Sequence, residues 1–214
     1  MTLSLRPFFR AMIEKILQPV SDRVFASPSI FRLKERFNRF SAVKDEFLNE
    51  LSLPKGRLLE IGCSVGTCAS VVVPMDRLSY VGIDIDPAYI ELARKQCPAG
   101  EFYAMDARRL SFENQSFDRV LFFSVLHHFD QSLALSSLAE VRRVLKPEGL
   151  VLVAEPIVSN ALNRFLLSID RGRFVRSVDG YRELFIEFSE RRSSVFEYWP
   201  YRLASFVLQP KEVQ

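Results

Sequence analysis

Residues 58–67, with the sequence LLEIGCSVGT, decide the fold of this chain. The apolar run at 58–61 predicts a strand, and the small residues after it predict a turn that opens a helix. Gly62 and Gly66 lack the Cβ atoms that would keep a ligand away from the turn, and the first amides of the helix are available as donors. The segment predicts a turn that contacts a ligand, with a purely structural glycine turn as the alternative.

An acidic residue ends the next apolar run. The run Tyr80–Asp84 places a carboxylate 22 residues after Gly62. At this position in dinucleotide-binding folds, a carboxylate accepts hydrogen bonds from ribose hydroxyls. The pair of features therefore predicts a nucleoside-type ligand. A nicotinamide fingerprint would need glycine at 62, 64 and 67, whereas this chain has Ser64 and Thr67.

From residue 55 onward, strand-like and helix-like runs alternate along the chain. Such alternation predicts βαβ units and a parallel sheet, which is an α/β fold. The runs Val120–Phe123 and Leu150–Val153 lack polar alternation, as expected for central strands that are covered on both faces. Two late candidates, Ser193–Tyr198 and Arg202–Leu208, are predicted to form a final hairpin.

The spacing Glu60-x-Gly62-x-Ser64-x-Gly66 resembles the first motif of class I S-adenosylmethionine-dependent methyltransferases, with serine at the middle glycine. Three further segments resemble the same superfamily in the same order, particularly the methyltransferase type 11 group that includes ubiquinone and menaquinone biosynthesis methyltransferases. They are Asp84–Pro87, Met105–Asp118 and Val141–Gly149. The resemblance covers roughly residues 55–156.

This resemblance implies a Rossmann-like three-layer αβα sandwich with a mostly parallel seven-stranded sheet, and S-adenosylmethionine as the cofactor. It implies that Asp84 binds the ribose and that Asp106 binds the adenine amine, although a capping aspartate is the alternative for Asp106. Glu60 is expected to bind the methionine amine or to orient the glycine turn. The expected cofactor-binding residues are Glu60, Gly62, Cys63, Ser64, Gly66, Asp84, Ile85, Asp106, Ala107 and Ser124.

Two histidines follow the fourth predicted strand, at the edge where open α/β sheets bind ligands. His127 is the candidate general base, because imidazole titrates near neutral pH, and Glu155 at the end of the fifth strand is its candidate orienting partner. A structural histidine is the alternative, because the sulfonium already activates the methyl group and in-line positioning of the acceptor can suffice.

Two segments lie outside the resembling core. Residues 1–54 are expected to form an N-terminal helical extension, and residues 55–214 the methyltransferase domain with a helical insertion at about 157–192. An amphipathic helix behind Pro7 is expected to cover the cofactor site, while its basic flank leaves peripheral membrane contact open. The phenylalanines of these segments predict a small hydrophobic or amphipathic acceptor: Phe8, Phe9, Phe31, Phe165, Phe174 and Phe185.

Composition favours neither a nucleic-acid-binding protein nor a membrane-spanning one. A net charge of +3 gives no case for nucleic acid, and no apolar run has the length of a membrane span. Three separate cysteines, Cys63, Cys68 and Cys97, predict no disulfide framework and no metal site, which fits a cytoplasmic protein.

Three alternatives stay open. The basic stretch with Arg171, Arg173 and Arg176 is expected either to grip an anionic acceptor or to lie in solvent. A nicotinamide-dependent oxidoreductase is the rival enzyme class. A domain that binds S-adenosylmethionine without turnover is the rival that is not an enzyme.

Overall fold

The computed structural model describes residues 47–51, 55–73, 78–158, 173–198 and 201–212. The predicted amphipathic helix behind Pro7 lies outside these residues, and so does the part of the predicted insertion at 159–172. Of the expected N-terminal extension, the structure describes residues 47–51, which contain one short helix.

The helices and strands follow one another in the predicted alternation. In chain order the described elements are α1 (Leu48–Leu51), β1 (Gly56–Ile61), α2 (Ala69–Val72), β2 (Leu78–Asp84), α3 (Pro87–Gln96), β3 (Glu101–Ala104), β4 (Phe117–Phe123), a 3-10 turn (Leu126–His128), α4 (Gln131–Val144), β5 (Leu145–Ile157), α5 (Val178–Arg182), a second 3-10 turn (Glu183–Phe185), β6 (Phe188–Tyr198) and β7 (Tyr201–Pro210).

The seven strands of the described chain form one sheet in the order β3-β2-β1-β4-β5-β7-β6. The pairs among the first five strands are parallel, but β7 runs antiparallel to both β5 and β6. The expectation of a mostly parallel sheet is therefore corrected to a mixed sheet. The reason is the hairpin: β6 and β7 are 11 and 10 residues long and directly connected, and such a connection reverses the strand direction.

Hydrophobic residues cover both faces of the sheet, as a three-layer sandwich requires. Alternate residues of β1 face opposite sides, so that Leu59 packs with α4 and α5 in one core cluster, whereas Leu58 packs with α2 and α3 in the other. The central strands are buried along almost their whole length, with every residue of β4 except Asp118 classed as buried. The predicted layers are thus present, and no described helix has the length and hydropathy to cross a membrane.

The strand order places a crevice between β1 and β4. From β1 the chain proceeds outward through β2 to β3, and it then returns to β4 on the other side of β1. A place where the strand order reverses in this way is called a topological switch point, and the helices that follow the two strands diverge there. Open α/β sheets bind ligands at switch points, at the carboxyl ends of the strands. The register pairs Ile61 with Phe122, which brings the turns after both strands to the same edge.

Candidate functional site

A cavity of about 410 Å³ opens at this edge of the sheet. Its volume lies within the range of small-molecule sites in proteins. Turns after β1, β2, β3 and β4 and the start of α4 line it, with these residues: Ile61, Gly62, Ser64, Ile83, Asp84, Ile85, Asp86, Tyr89, Met105, Asp106, Ala107, Ser124, Val125, His128, Phe129 and Leu133. Seven of the ten predicted cofactor-binding residues are in this set, and three are not.

Asp84 is an acidic residue of the cavity lining. Its Oδ2 accepts the amide of Ser64 at 2.9 Å, and its Oδ1 accepts the amide of Asp86 at 3.0 Å. Each carboxylate oxygen has a second lone pair, so two further donors can be accepted. Burial raises the pKa of this carboxyl above its ordinary value, although both amide bonds act in the opposite direction.

In the turn after β1, every second residue from Gly62 to Gly66 has a left-handed backbone conformation. Gly62, Ser64 and Gly66 have φ values of 72°, 51° and 83°. A Cβ at Gly62 would lie 2.4 Å from the Val125 side chain, and a Cβ at Gly66 would lie 3.1 Å from the Ala93 side chain. The two glycines are therefore required by the protein's own packing as well as by conformation. Gly62 lines the cavity, but Gly66 does not, and it serves the packing of the turn against α3.

Ser64 occupies the middle position of the turn at two energetic costs. A left-handed backbone is unfavourable for a residue with a Cβ, by about 1 kcal/mol relative to glycine. Its Oγ is also buried without a hydrogen-bond partner in the part of the chain that the structure describes. An unsatisfied buried hydroxyl costs about 1–3 kcal/mol. Both costs fall on a residue that lines the cavity.

Many of the lining residues are apolar. The Ile85 side chain is 73% exposed although it is large and aliphatic, and it stands in the cavity lining with Met105, Ala107 and Leu133. An exposed aliphatic surface of this kind suits a flat aromatic ring. Asp106 also lines the cavity, and Arg108 contacts its carboxylate with a shortest distance of 2.6 Å. This contact holds the pKa of the Asp106 carboxyl below its ordinary value.

Two further predicted residues lie away from the cavity lining. Glu60 is buried on the other face of the sheet, where its carboxylate accepts the hydroxyl of Tyr80. Cys63 packs in the core cluster of that same face. Burial, together with the charges of Glu60 and Asp84, raises the pKa of the Cys63 thiol far above its ordinary value. A thiol in this state is not a nucleophile, which agrees with a packing role for Cys63.

His127 and Glu155 form the predicted pair and are both buried, with 1% and 0% of their side chains exposed. His127 Nδ1 lies 2.8 Å from Glu155 Oε2. Because a carboxylate only accepts hydrogen bonds, Nδ1 is the nitrogen that donates to Glu155. Nε2 is buried and has no hydrogen-bond partner among the described residues. The cavity is lined by His128 and not by His127, and the two rings are 4.1 Å apart.

Glu155 also holds the backbone around these histidines. Its Oε1 accepts the amides of Val125 and Leu126 at 2.8 and 2.7 Å, and its Oε2 accepts the amide of His127 at 3.3 Å. We call residues 125–129 the histidine turn. Four donors on one buried carboxylate make Glu155 a residue that positions this turn, so its predicted catalytic role is confined to orienting His127.

Comparison with known proteins finds a family that the central part of the chain resembles. Residues 58–149 match the family model described as "Methyltransferase domain". This match includes the turn after β1, the end of β2 and the histidine turn. Over these residues the predicted resemblance to class I S-adenosylmethionine-dependent methyltransferases is confirmed. S-adenosylmethionine is the cofactor that this similarity indicates.

Relatives of this methyltransferase domain include the phthiotriol/phenolphthiotriol dimycocerosates methyltransferase of Mycobacterium leprae (strain TN), which is 35% identical over 130 residues, or 58% of this chain and 46% of the relative. The chain thus spans about half the length of the curated relatives that it matches. The PH0226 protein of Pyrococcus horikoshii OT3 is a solved structure with a TM-score of 0.66 at 23% identity, covering 84% of this chain and 91% of that one.

A third similar structure is the magnesium protoporphyrin IX methyltransferase of Synechocystis PCC 6803 with bound SAH, with a TM-score of 0.67, 14% identity, and coverage of 90% of this chain and 99% of that one. At such identities the two structures show that the methyltransferase fold is shared. The nicotinamide-dependent oxidoreductase is not favoured by any of these comparisons.

The sequence interpretation missed several residues of the cavity lining. Tyr89, Phe129 and Leu133 line the cavity from α3, the histidine turn and α4. Their helices were foreseen, but the face that each helix turns toward the sheet edge depends on tertiary packing. Among the described residues, no group of three or more His, Cys, Asp or Glu side chains is arranged to hold a metal ion.

Proposed function

We propose that this methyltransferase transfers the methyl group of S-adenosylmethionine to a small hydrophobic or amphipathic acceptor. The observation that carries the proposal is the placement of the Asp84 carboxylate, with two lone pairs available, in a cavity that the exposed Ile85 side chain also lines. This combination suits the ribose and the flat base of a nucleoside.

Different residues of the cavity would contact different parts of the cofactor. Asp84 would accept the ribose hydroxyls, the wall formed by Ile85 and Met105 would face the adenine ring, and Asp106 would accept the adenine amine. Gly62 and Ser124, at the ends of β1 and β4, would face the part of the cofactor that carries the sulfur. When bound, S-adenosylmethionine supplies an activated methyl group on a positively charged sulfur.

A hydrophobic acceptor is supported by the chain after β5. Phe174 is 39% exposed, and its amide donates to the carbonyl of His127 at 2.9 Å, so an apolar surface adjoins the histidine turn. Phe185 was predicted to line the acceptor pocket as well, but it is buried in the core, and that assignment is corrected. The M. leprae relative is named for a triol or phenol-containing compound, which supports a hydroxyl as the acceptor group.

His127 is proposed as the group that takes the proton of such a hydroxyl. Glu155 holds the ring through Nδ1, and Nε2, which has no partner within the described ranges, is the atom that would offer a lone pair in the neutral tautomer. Because this nitrogen is buried, the acceptor has to enter beside the histidine turn to reach it. Positioning of the acceptor against the methyl group supplies the rest of the acceleration.

The test is a search for a methylated product. Cell extracts incubated with the protein and a radiolabelled methyl donor are expected to yield a labelled small molecule that partitions into organic solvent. The Asp84→Ala variant is the matched control and is expected to give no label. Calorimetry in which the wild-type chain binds NAD but not S-adenosylhomocysteine would overturn the proposal, and cofactor binding without label in any extract would favour a domain without turnover.

A further inference from the structure

The chain after β5 holds the histidine turn by its carbonyl groups. Arg176 Nη1 donates to the carbonyl of Leu126 at 3.1 Å, and Nη2 donates to the carbonyl of Phe129 at 3.0 Å. Between them, the amide of Phe174 donates to the carbonyl of His127 at 2.9 Å. Because Glu155 holds the amides of the same turn, its backbone is bonded from two sides.

Arg176 is itself held in place by its neighbours. Its Nη1 also donates to the carbonyl of Phe174 at 3.0 Å, and the guanidinium lies 6.0 Å from the ring centre of Tyr181. Tyr181 is fully buried, and its hydroxyl donates to the carbonyl of Pro156, beside Glu155 on β5. The guanidinium is therefore engaged with backbone carbonyls, which does not match the expectation that Arg176 grips an anionic acceptor or lies in solvent.

The histidine turn supplies one wall of the cavity. Val125, His128 and Phe129 line it, whereas Arg176 does not. We infer that Arg176 is a positioning residue of the cofactor cavity, which holds this wall through its carbonyls and couples cofactor binding to the chain after β5. The inference rests on the proposed function, because it takes S-adenosylmethionine as the occupant of the cavity.

Coupling of this kind acts in both directions. If residues 174–176 hold the wall in the conformation that binds the cofactor, then the bound cofactor stabilises residues 174–176 by the same free energy. The planar guanidinium reaches two carbonyls of the turn at once, which a lysine ammonium on its flexible stem does not reproduce. Arg176→Lys, which keeps the charge, is therefore expected to remove part of the coupling.

The first experiment measures binding of S-adenosylhomocysteine by calorimetry. Arg176→Ala is expected to weaken binding about tenfold and Arg176→Lys by a smaller factor, because two hydrogen bonds to the wall are lost or reduced. Arg173→Ala is the matched control, since Arg173 is an exposed arginine three residues away, and it is expected to bind as the wild type does. Wild-type affinity in Arg176→Ala would overturn the inference.

The second experiment separates coupling from a loss of stability. Hydrogen exchange is followed at the amides of Phe174 and Tyr181, with and without S-adenosylhomocysteine. The ligand is expected to slow exchange there in the wild type and in Arg173→Ala, and to slow it less in Arg176→Lys. Equal ligand-dependent protection in Arg176→Lys would overturn the inference even if Arg176→Ala fails to fold. A wild-type chain that does not bind the ligand would instead refute the proposed function, and this inference with it.

Discussion

The amide of Ser64 donates to Asp84 Oδ2 at 2.9 Å, and this bond joins the turn after β1 to the carboxyl end of β2. The two motifs that indicated a nucleoside ligand in the sequence are thus one structural unit, although they are 20 residues apart. The carboxylate orders the turn and keeps lone pairs for a ligand at the same time. Substitutions at either residue are expected to change both cofactor affinity and stability, in ways that can be separated.

Asp84→Ala is expected to weaken binding of S-adenosylhomocysteine by about 1.5–3 kcal/mol, the scale of hydrogen bonds to a charged acceptor. The domain should stay folded, because the core clusters do not include this side chain. Calorimetry with thermal unfolding as the check on folding measures both effects. Asp179→Asn, at a carboxylate 85% exposed and remote from the cavity, is the control. Equal affinities in the two variants would remove Asp84 from the site.

Cofactor affinity is expected to fall on acidification at a higher pH than an ordinary aspartate would give. Burial raises the pKa of Asp84, and the ionised form is the one that accepts ribose hydroxyls. As the pH falls through this raised pKa, affinity is lost. The contribution of Asp84 to the stability of the ligand-free protein has the opposite sign: it increases as the pH falls, since the folded state binds this proton more tightly than the unfolded state.

The pH dependence is measured by calorimetry from neutral pH to about pH 4.5, near the range where carboxylates titrate. Asp84→Asn has no proton to gain and is expected to show weak binding that changes little with pH. An equally steep decline in that variant would assign the titration to another group.

Ser64→Gly is expected to stabilise the ligand-free protein and to weaken cofactor binding. Glycine relieves the left-handed strain and removes the unpartnered hydroxyl, for a net gain of about 1 kcal/mol after the added freedom of the unfolded chain is subtracted. The lost hydroxyl contact is expected to reduce affinity for S-adenosylhomocysteine severalfold. Chemical denaturation and calorimetry measure the two quantities.

Gln115→Gly is the matched control for Ser64→Gly. Gln115 has a φ of 53°, is exposed and lies outside the cavity lining, so the same backbone strain is relieved there without an effect on the ligand. If Ser64→Gly gains no more stability than this control and binds the ligand normally, the hydroxyl has no role in the site.

Glu155→Gln is expected to destabilise the protein by about 2–4 kcal/mol, because an amide group replaces a carboxylate oxygen that accepts from donors in a buried position. Urea unfolding measures the loss. Glu190→Gln breaks an ion pair with Arg182 near the surface and is expected to cost less than about 1 kcal/mol. Similar losses in both variants would contradict the role of Glu155 in holding the histidine turn.

His127→Ala is expected to lower turnover by roughly 10²–10⁴ while leaving affinity for S-adenosylhomocysteine almost unchanged, as for removal of a general base. The assay uses the acceptor that the labelled extracts identify. A decrease of less than about threefold would show that positioning and the reactivity of the sulfonium account for the chemistry. Joint loss of affinity and folding would make the histidine structural.

The sequence predicts this fold well wherever local patterns determine structure. The strand before Gly62, the acid at Asp84 and the alternation of strands and helices are recognisable because hydrophobic periodicity and glycine turns are local properties. The N-cap residues Asp86 and Asp130 accept hydrogen bonds from amides of their own helices. These are also interactions between residues close in sequence. A final hairpin was predicted, but not that its second strand, β7, pairs with β5, and this antiparallel pairing makes the sheet a mixed one.

Side-chain direction at the site is less predictable. Glu60 and Cys63 belong to the predicted motif but point to the opposite face of the sheet, because which face carries the cavity depends on how the chain crosses between strands. His127 and His128 are neighbours in sequence, yet one is buried and the other lines the cavity. Arg176 and Leu126 are 50 residues apart, and no local sequence pattern predicts the hydrogen bond between them.

The position of β7 has a consequence for biosynthesis. β5 pairs with β4 on one side and with β7 on the other, and Glu155 is opposite Ala204 in that second pairing. Ribosomes make the chain from the amino end, so β5 acquires its second neighbour only after residues 201–210 have left the exit tunnel. The strand that holds the histidine turn is therefore completed after every other described strand has emerged, and a nascent chain gains a finished cofactor cavity only once residues 201–210 are free to pair.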